Sequence, residues 1–431
     1  MNNDSPPSGS TRESATPTNA RHIMLGFILS LTAISYLDRV CIAMTAPAMK
    51  LDLGLSDAQM GYVFSAFTVA YALFEIPSGW LADRFGPRLM LARVVVWWSV
   101  MTVATGFTRG FASLFTVRLL FGLGEAGTFP GTARAFSHWL PARTRARAFG
   151  LAVMAATLCG AFTYKLVAVL LQHVSWRQTF YVFGLVGLVW VIAWTWWFRD
   201  DPRKHPGVNQ AELDLIGMDP PPSHERVPWS ILYNRNMIAL SVMYLSTVYG
   251  WYIYLTWFPT YMLRARGVDL QAAGNFSQWP LYGLALGVVS GGWLSDRIRS
   301  VGSLSKARRI PGLVGLPLAA LTLLGAIFTP QTSLSVLLFS TSAGLSALAV
   351  APAWAVCLDI GRRRAGVVSG TMNMFGNLGG ALSPVVVGLC LDRFGSWNAP
   401  LLSVGAFYLL GAVCWMVIDP SRQLEREGSL G

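Results

Sequence analysis

An arginine and a glutamate stand inside the apolar stretch Arg118–Gly131, RLLFGLGEAGTFPG. A charged side chain at bilayer depth costs about 2.5–3.5 kcal/mol on insertion scales. Two of opposite sign therefore point to a partner or a water-filled cavity rather than to lipid. Arg118 and Glu125 are seven residues apart, so a continuous helix puts them on one face, roughly 10 Å from each other. Gly122, Gly124 and Gly127 remove bulk around them and let a second helix approach closely. Two readings follow: a structural ion pair between helices, or an anion site beside a proton site. Lys165, in Tyr164-Lys165, adds a cation about three turns inside another apolar run, where it must face an aqueous cavity, snorkel or pair. It is either a second cationic contact for a substrate with two carboxylates or an electron-rich ring, or the partner of a buried acid.

The elements that must hold these residues are spanning helices. Of 431 residues, 53% are hydrophobic and only 13% charged, about half the charged fraction of a soluble chain. The net charge of +12 does not advertise nucleic acid, because the basic residues sit in alternate loops. Runs of about 20 apolar residues place six helices near 22–47, 58–81, 89–107, 113–138, 145–174 and 176–198. Six more follow near 236–263, 271–294, 310–328, 333–358, 365–391 and 397–418. The expectation is an all-α polytopic membrane protein of twelve helices. Residues 1–21 read as a disordered tail, 22–198 as the first six-helix half and 199–235 as a polar linker. Residues 236–418 form the second half, followed by the tail 419–431. Arginines and lysines crowd the loops after helices 2, 4, 6, 8 and 10, so both termini and the linker are expected in the cytoplasm. Trp190, Trp194, Trp196 and Trp197 read as an interfacial belt.

Gly79-Trp80-Leu81-Ala82-Asp83-Arg84 recurs as Gly292-Trp293-Leu294-Ser295-Asp296-Arg297, 213 positions later, at the end of the second helix of each half. Duplicated halves of this kind build one large class of transporter, with the substrate site near the midplane between them.

GWLADRFGPR, Gly79–Arg88, resembles the signature loop of the major facilitator superfamily, departing from it only at Pro87. Within that superfamily the chain resembles the anion:cation symporter family, which includes bacterial sugar-acid and aromatic-acid permeases. The matching stretches are SYLDR (Ser35–Arg39), RLLFGLGEAGTFP (Arg118–Pro130), YGWYIYLTWFPTY (Tyr249–Tyr261) and AGVVSGTMNMFGNLGGALSP (Ala365–Pro384). The resemblance implies that Arg39 and Tyr36 hold a substrate carboxylate, while Asp38 and Glu125 handle protons with Arg118 beside them. It also implies a conformational gate at Gly79, Asp83 and Arg84, with Asp296 and Arg297 as the repeat's counterpart. The chemistry agrees: Tyr36 and Arg39 share a helix face, and a guanidinium grips a carboxylate with two parallel hydrogen bonds. Tyr71, Tyr249, Trp257, Trp354, Asn373 and Asn377 are candidate contacts for the rest of the substrate, or else packing residues. Glu75, one turn after Tyr71, is expected in a gate or network linked to the Asp83 loop.

The expected activity is proton-coupled import of a small organic anion, a sugar acid or an aromatic carboxylate, across a bacterial inner membrane by a monomer. The alternative is an anion exchanger or facilitator without proton coupling. An integral-membrane enzyme is disfavoured, because His22, His138, His173, His205 and His224 are scattered and no Walker-type glycine loop is present. The five cysteines fall singly in apolar runs, so no metal or cofactor is expected.

Overall fold

The computed structural model describes residues 16–217, 233–361 and 365–422; most of the two tails and much of the expected linker fall outside them. The architecture is all-helical. The elements are α1 (Ala20–Leu53), α2 (Asp57–Gly106), α3 (Phe111–Glu125), α4 (Thr128–Trp139), α5 (Ala142–Leu170), α6 (Trp176–Trp197), α7 (Gln210–Ile216) and α8 (Arg235–Thr256). Then come α9 (Phe258–Ala265), α10 (Leu270–Val301), α11 (Leu304–Phe328), α12 (Thr332–Ala347), α13 (Val350–Gly361), α14 (Ala365–Phe394) and α15 (Asn398–Val417). Among the described residues, nine helices are long and apolar enough to cross a membrane. The pass through α3 and α4 is not among the nine; it is broken into helices of 15 and 12 residues.

The twelve passes do not map one-to-one onto helices, and each departure has a local cause. Expected helices 2 and 3 run on as α2 across a kink at Gly86, whose φ of 78° is left-handed and favours glycine. A Cβ there would also meet the Asp200 carboxylate at 2.9 Å, and that carboxylate accepts the Arg88 amide at 2.8 Å. The expected helix 113–138 is interrupted at Ala126 and Gly127, directly after Glu125. The helices 236–263 and 333–358 are likewise each divided, at Trp257 and at Leu348–Ala349. Hydropathy does not register these interruptions, since the residues on either side are equally apolar.

Glycines let the helices close up. A Cβ on Gly122 would run into the Phe67 backbone carbonyl, so α3 lies against α2 at a distance only glycine permits. One apolar core joins Val40–Phe64 of α1 and α2, and Tyr164–Phe183 of α5 and α6, to α8, α9, α14 and α15. A second core, built from Met24, Leu31, Phe67, Trp98, Phe136 and Trp194 among others, belongs to the first half alone. The halves therefore share apolar packing at the end of the bundle opposite the chain termini. Trp190, Trp194 and Trp197 are not an exposed belt. Trp190 stacks on Trp194 at 5.1 Å, Trp194 on Phe198 at 3.9 Å, and Phe27 stacks on Trp197. Trp196 alone of the four is largely exposed.

Polar contacts close the same far end. The Asp392 carboxylate, on α14, accepts the first two backbone amides of α2, from Asp57 at 3.0 Å and Ala58 at 2.9 Å. Arg264 of α9 grips both oxygens of Asp57 at 2.8 Å, and Lys50 binds Asp57 from the other side. Arg264 is half-exposed, so its pair contributes about 0–1 kcal/mol, and the helix cap about 1 kcal/mol. The double variant Arg264→Ala/Asp392→Ala is expected to shift the closed–open balance of this end by roughly 5- to 30-fold. Spin labels at exposed Leu51 and Phe394 will report a longer distance; an unchanged distribution contradicts the latch.

Candidate functional site

Arg39 is the centre of the site. Ser35 and Arg39 are four apart on α1, hence on one face. Both reach the same oxygen of Glu125: the guanidinium at 2.8 Å, and the Ser35 hydroxyl as a second donor. The rings of Phe67, Tyr36 and Tyr71 surround the guanidinium with centroids at 4.7, 4.9 and 5.0 Å, a cation–π cage in which the charge stays desolvated without losing all compensation. Glu125 is fully buried, and its second oxygen has no hydrogen-bond partner.

Arg118, which the sequence sets on the same face as Glu125, is not its direct ion partner; Arg39 is. Two helical turns separate Arg118 and Glu125, α3 ends at Glu125, and α1 brings Arg39 closer. Arg118 is buried against the Phe121 and Phe67 rings, at 4.4 and 5.4 Å, and its Nε has no hydrogen-bond partner. It lies within electrostatic reach of Asp38 and Glu125. Asp38 is itself buried, and neither of its oxygens has a hydrogen-bond partner. Among the described residues the cluster thus holds one made ion pair, Arg39–Glu125, with Asp38 and Arg118 within electrostatic reach of each other but not bonded.

The second half meets this cluster through residues only partly foreseen. Tyr252 of α8 lies within electrostatic reach of Arg39, Tyr36 and Glu125, and Tyr244 within reach of Tyr36 and Glu75. The Trp354 indole donates to the Tyr244 hydroxyl at 3.2 Å. Asn373 of α14 donates to both oxygens of Glu75, at 3.3 and 3.2 Å. Asn377, one turn on, has a buried amide nitrogen without a partner. Lys165 is exposed and makes no ion pair among the described residues, so it is not the partner of Asp38 or Glu125. Its neighbour Tyr164 crosses between the halves, donating to the Tyr254 carbonyl at 2.7 Å.

Two aromatic candidates stand elsewhere. Trp257 is buried at the closed end, donating to the Pro384 carbonyl at 3.2 Å and packing on Phe64 and Trp397. Tyr249 points away from the first half, stacked on Phe407 and bonded to Ser403 at 2.7 Å. Along α8, Tyr252 is three residues after Tyr249 and Tyr244 five before it, and these are the tyrosines that face Arg39 and Glu75. Ser35, Phe67, Tyr244 and Tyr252 were missed; the i, i+4 spacing of Ser35 and Arg39 was the one usable signal. At the signature loop, Gly79 lies near Pro130, and Arg84 is exposed over the Trp80 and Phe85 rings. Asp296 and Arg297 are exposed as well. The Asp83 side chain lies outside the described residues.

A helical bundle of two six-pass halves around buried charges defines a membrane carrier. The chain belongs to the Major Facilitator Superfamily, whose sequence profile matches residues 28–384. It is a multi-pass membrane transporter, not an enzyme. A probable sulfoacetate transporter of Cupriavidus necator is 37% identical, over 93% of this chain and 94% of that one. A probable galactarate/D-glucarate transporter of Escherichia coli K12 is 32% identical, with the same coverage of each chain. A bacterial homologue of the human lysosomal transporter Spinster, solved inward-facing and occupied, shares the fold with a TM-score of 0.75 at 19% identity. That match covers 93% of this chain and 97% of the solved one.

Removing one partner of a buried ion pair strands the other, at a cost of about 3–5 kcal/mol. Arg39→Ala is expected to destabilise the protein by that order, and Arg39→Ala/Glu125→Gln by less than the sum of the single changes. Thermal unfolding of the four proteins in detergent measures the coupling; additive losses would refute the pairing.

Proposed function

We propose that the chain is a proton-coupled symporter that imports a small organic anion, a sugar acid or a related carboxylate, across the bacterial inner membrane. The observation that carries this reading is the Arg39–Glu125 pair in its cage of Tyr36, Phe67 and Tyr71. A substrate carboxylate and the Glu125 carboxylate compete for the same guanidinium. Protonating Glu125 frees Arg39 for the substrate, so each bound proton favours anion binding, and by reciprocity the anion favours the proton. Asp38, facing Arg118, is a second carboxylate of this kind. The relatives' named cargoes, sulfoacetate, galactarate and D-glucarate, all bear a carboxylate, which supports the class.

The remaining assignments follow the same line. Tyr36, Tyr71, Trp354, Asn373 and Asn377 line the substrate's path between the halves, with Lys165 one turn nearer the closed end. The distribution of loop arginines favours termini in the cytoplasm, so the closed end faces outward and the conformation is inward-open. Residues 22–198 and 236–418 rock as two bodies, with Gly79–Arg84 and Asp296–Arg297 at the cytoplasmic gate.

Two substitutions test the reading in proteoliposomes. Glu125→Gln imitates the protonated acid, so it is expected to retain counterflow of labelled substrate and to lose accumulation driven by a pH gradient. Retained accumulation would move coupling to Asp38 or leave a facilitator. Arg39→Lys keeps the charge but not the fork, and affinity is expected to fall about 10- to 100-fold, the worth of one charge-assisted hydrogen bond. Near-normal uptake by Arg39→Lys, or robust transport of a neutral sugar, would overturn the anion site.

A further inference from the structure

Glu75 is a third carboxylate at the level of the site, and the Arg39–Glu125 pair does not use it. It lies one turn beyond Tyr71 on α2, about 6 Å along the axis, and Tyr71 is one wall of the cage around Arg39. Arg39 and Tyr71 are its electrostatic neighbours from the first half, and Tyr244 from the second. Among the described residues its hydrogen-bond partner comes from the other half: the Asn373 amide, which donates to both carboxylate oxygens. An ionised carboxylate only accepts hydrogen bonds, so the amide must present its NH2 group to Glu75.

We infer that Glu75 is a specificity-determining residue, whose carboxylate holds on Asn373 the place of the substrate's distal end and selects a hydroxyl-bearing tail over a second carboxylate. This rests on the anion-carrier reading above. With the anionic head on Arg39, an extended six-carbon acid reaches one helical turn further, to the Glu75–Asn373 bridge. A hydroxyl can enter that bridge without loss, donating to Glu75 while accepting from Asn373. A carboxylate can accept from Asn373 but has nothing to donate, and it would lie against a like charge in a weakly screened interior. Rejection of the wrong group by an unpaired buried acceptor is the stronger form of selectivity. A short dianion, with one methylene between its charges, ends before Glu75 and escapes the filter.

D-galactonate and galactarate test this, since they share a carbon chain and differ only in a hydroxymethyl or a carboxylate at the sixth carbon. Binding of each to the purified full-length protein is measured by thermal shift and by competition. Wild type is expected to favour galactonate by at least roughly tenfold, the worth of one hydrogen bond to a charged group. Glu75→Gln is expected to collapse that ratio towards unity, chiefly by a gain for galactarate. Glu75→Ala is the companion variant if the glutamine protein is not monodisperse, with the same expected change of ratio. A purely structural Glu75 would weaken both ligands alike, and a preserved ratio in either variant overturns the inference. Failure of both anions to bind wild type also overturns it. The carrier reading then stands or falls separately, on proton-driven uptake of other organic acids in proteoliposomes.

Discussion

A guanidinium that cannot give up its charge, held among apolar helices, is the constraint on which the rest depends. Arginine stays protonated at any accessible pH, so the fold must supply it with an acid, rings or both. Arg39 receives all of these: Glu125 from α3, Tyr36 from its own helix, and Phe67 and Tyr71 from α2. The close approach of α3 to α2 at Gly122 and the interruption after Glu125 are what deliver the carboxylate to the right depth. Arg118 meets the same demand differently, with aromatic faces and the nearby Glu125 and Asp38 carboxyls in place of a made ion pair.

The charged members of the candidate site were legible in the sequence because charge at membrane depth is expensive and stands out against apolar runs. Their pairing was not. Helical periodicity relates residues on one helix, so it linked Arg118 with Glu125. The observed pair depends on how α1 crosses α3, which no one-dimensional pattern encodes. Aromatic candidates were legible only as a class: along Tyr244, Tyr249 and Tyr252, helical phase alone separates a tyrosine at the site from one packed on Phe407. The twelve passes were readable from hydropathy, and the Gly86 kink was not, because its cause is a backbone angle with Asp200 lying against it.

The far end and the site are built from different materials. The closed end combines an apolar core common to both halves with a helix cap and a small ionic cluster. At the depth of Arg39 the halves meet instead through tyrosines and an amide–carboxylate bridge. Polar contacts can be exchanged for substrate contacts at little net cost, whereas the apolar end can only be wetted or kept dry.

That one-ended core gives the transport cycle a thermal signature. Opening the far end hydrates apolar surface around Phe64, Trp257, Tyr261 and Trp397, which pack on one another there. Newly hydrated apolar surface raises the heat capacity. The balance between the two orientations of the carrier therefore curves with temperature instead of following a straight van't Hoff line. On cooling, the hydrophobic contribution to closure weakens. The step that opens the far end carries an enthalpy that changes with temperature, while exchange of polar contacts at the depth of Arg39 does not share that burden.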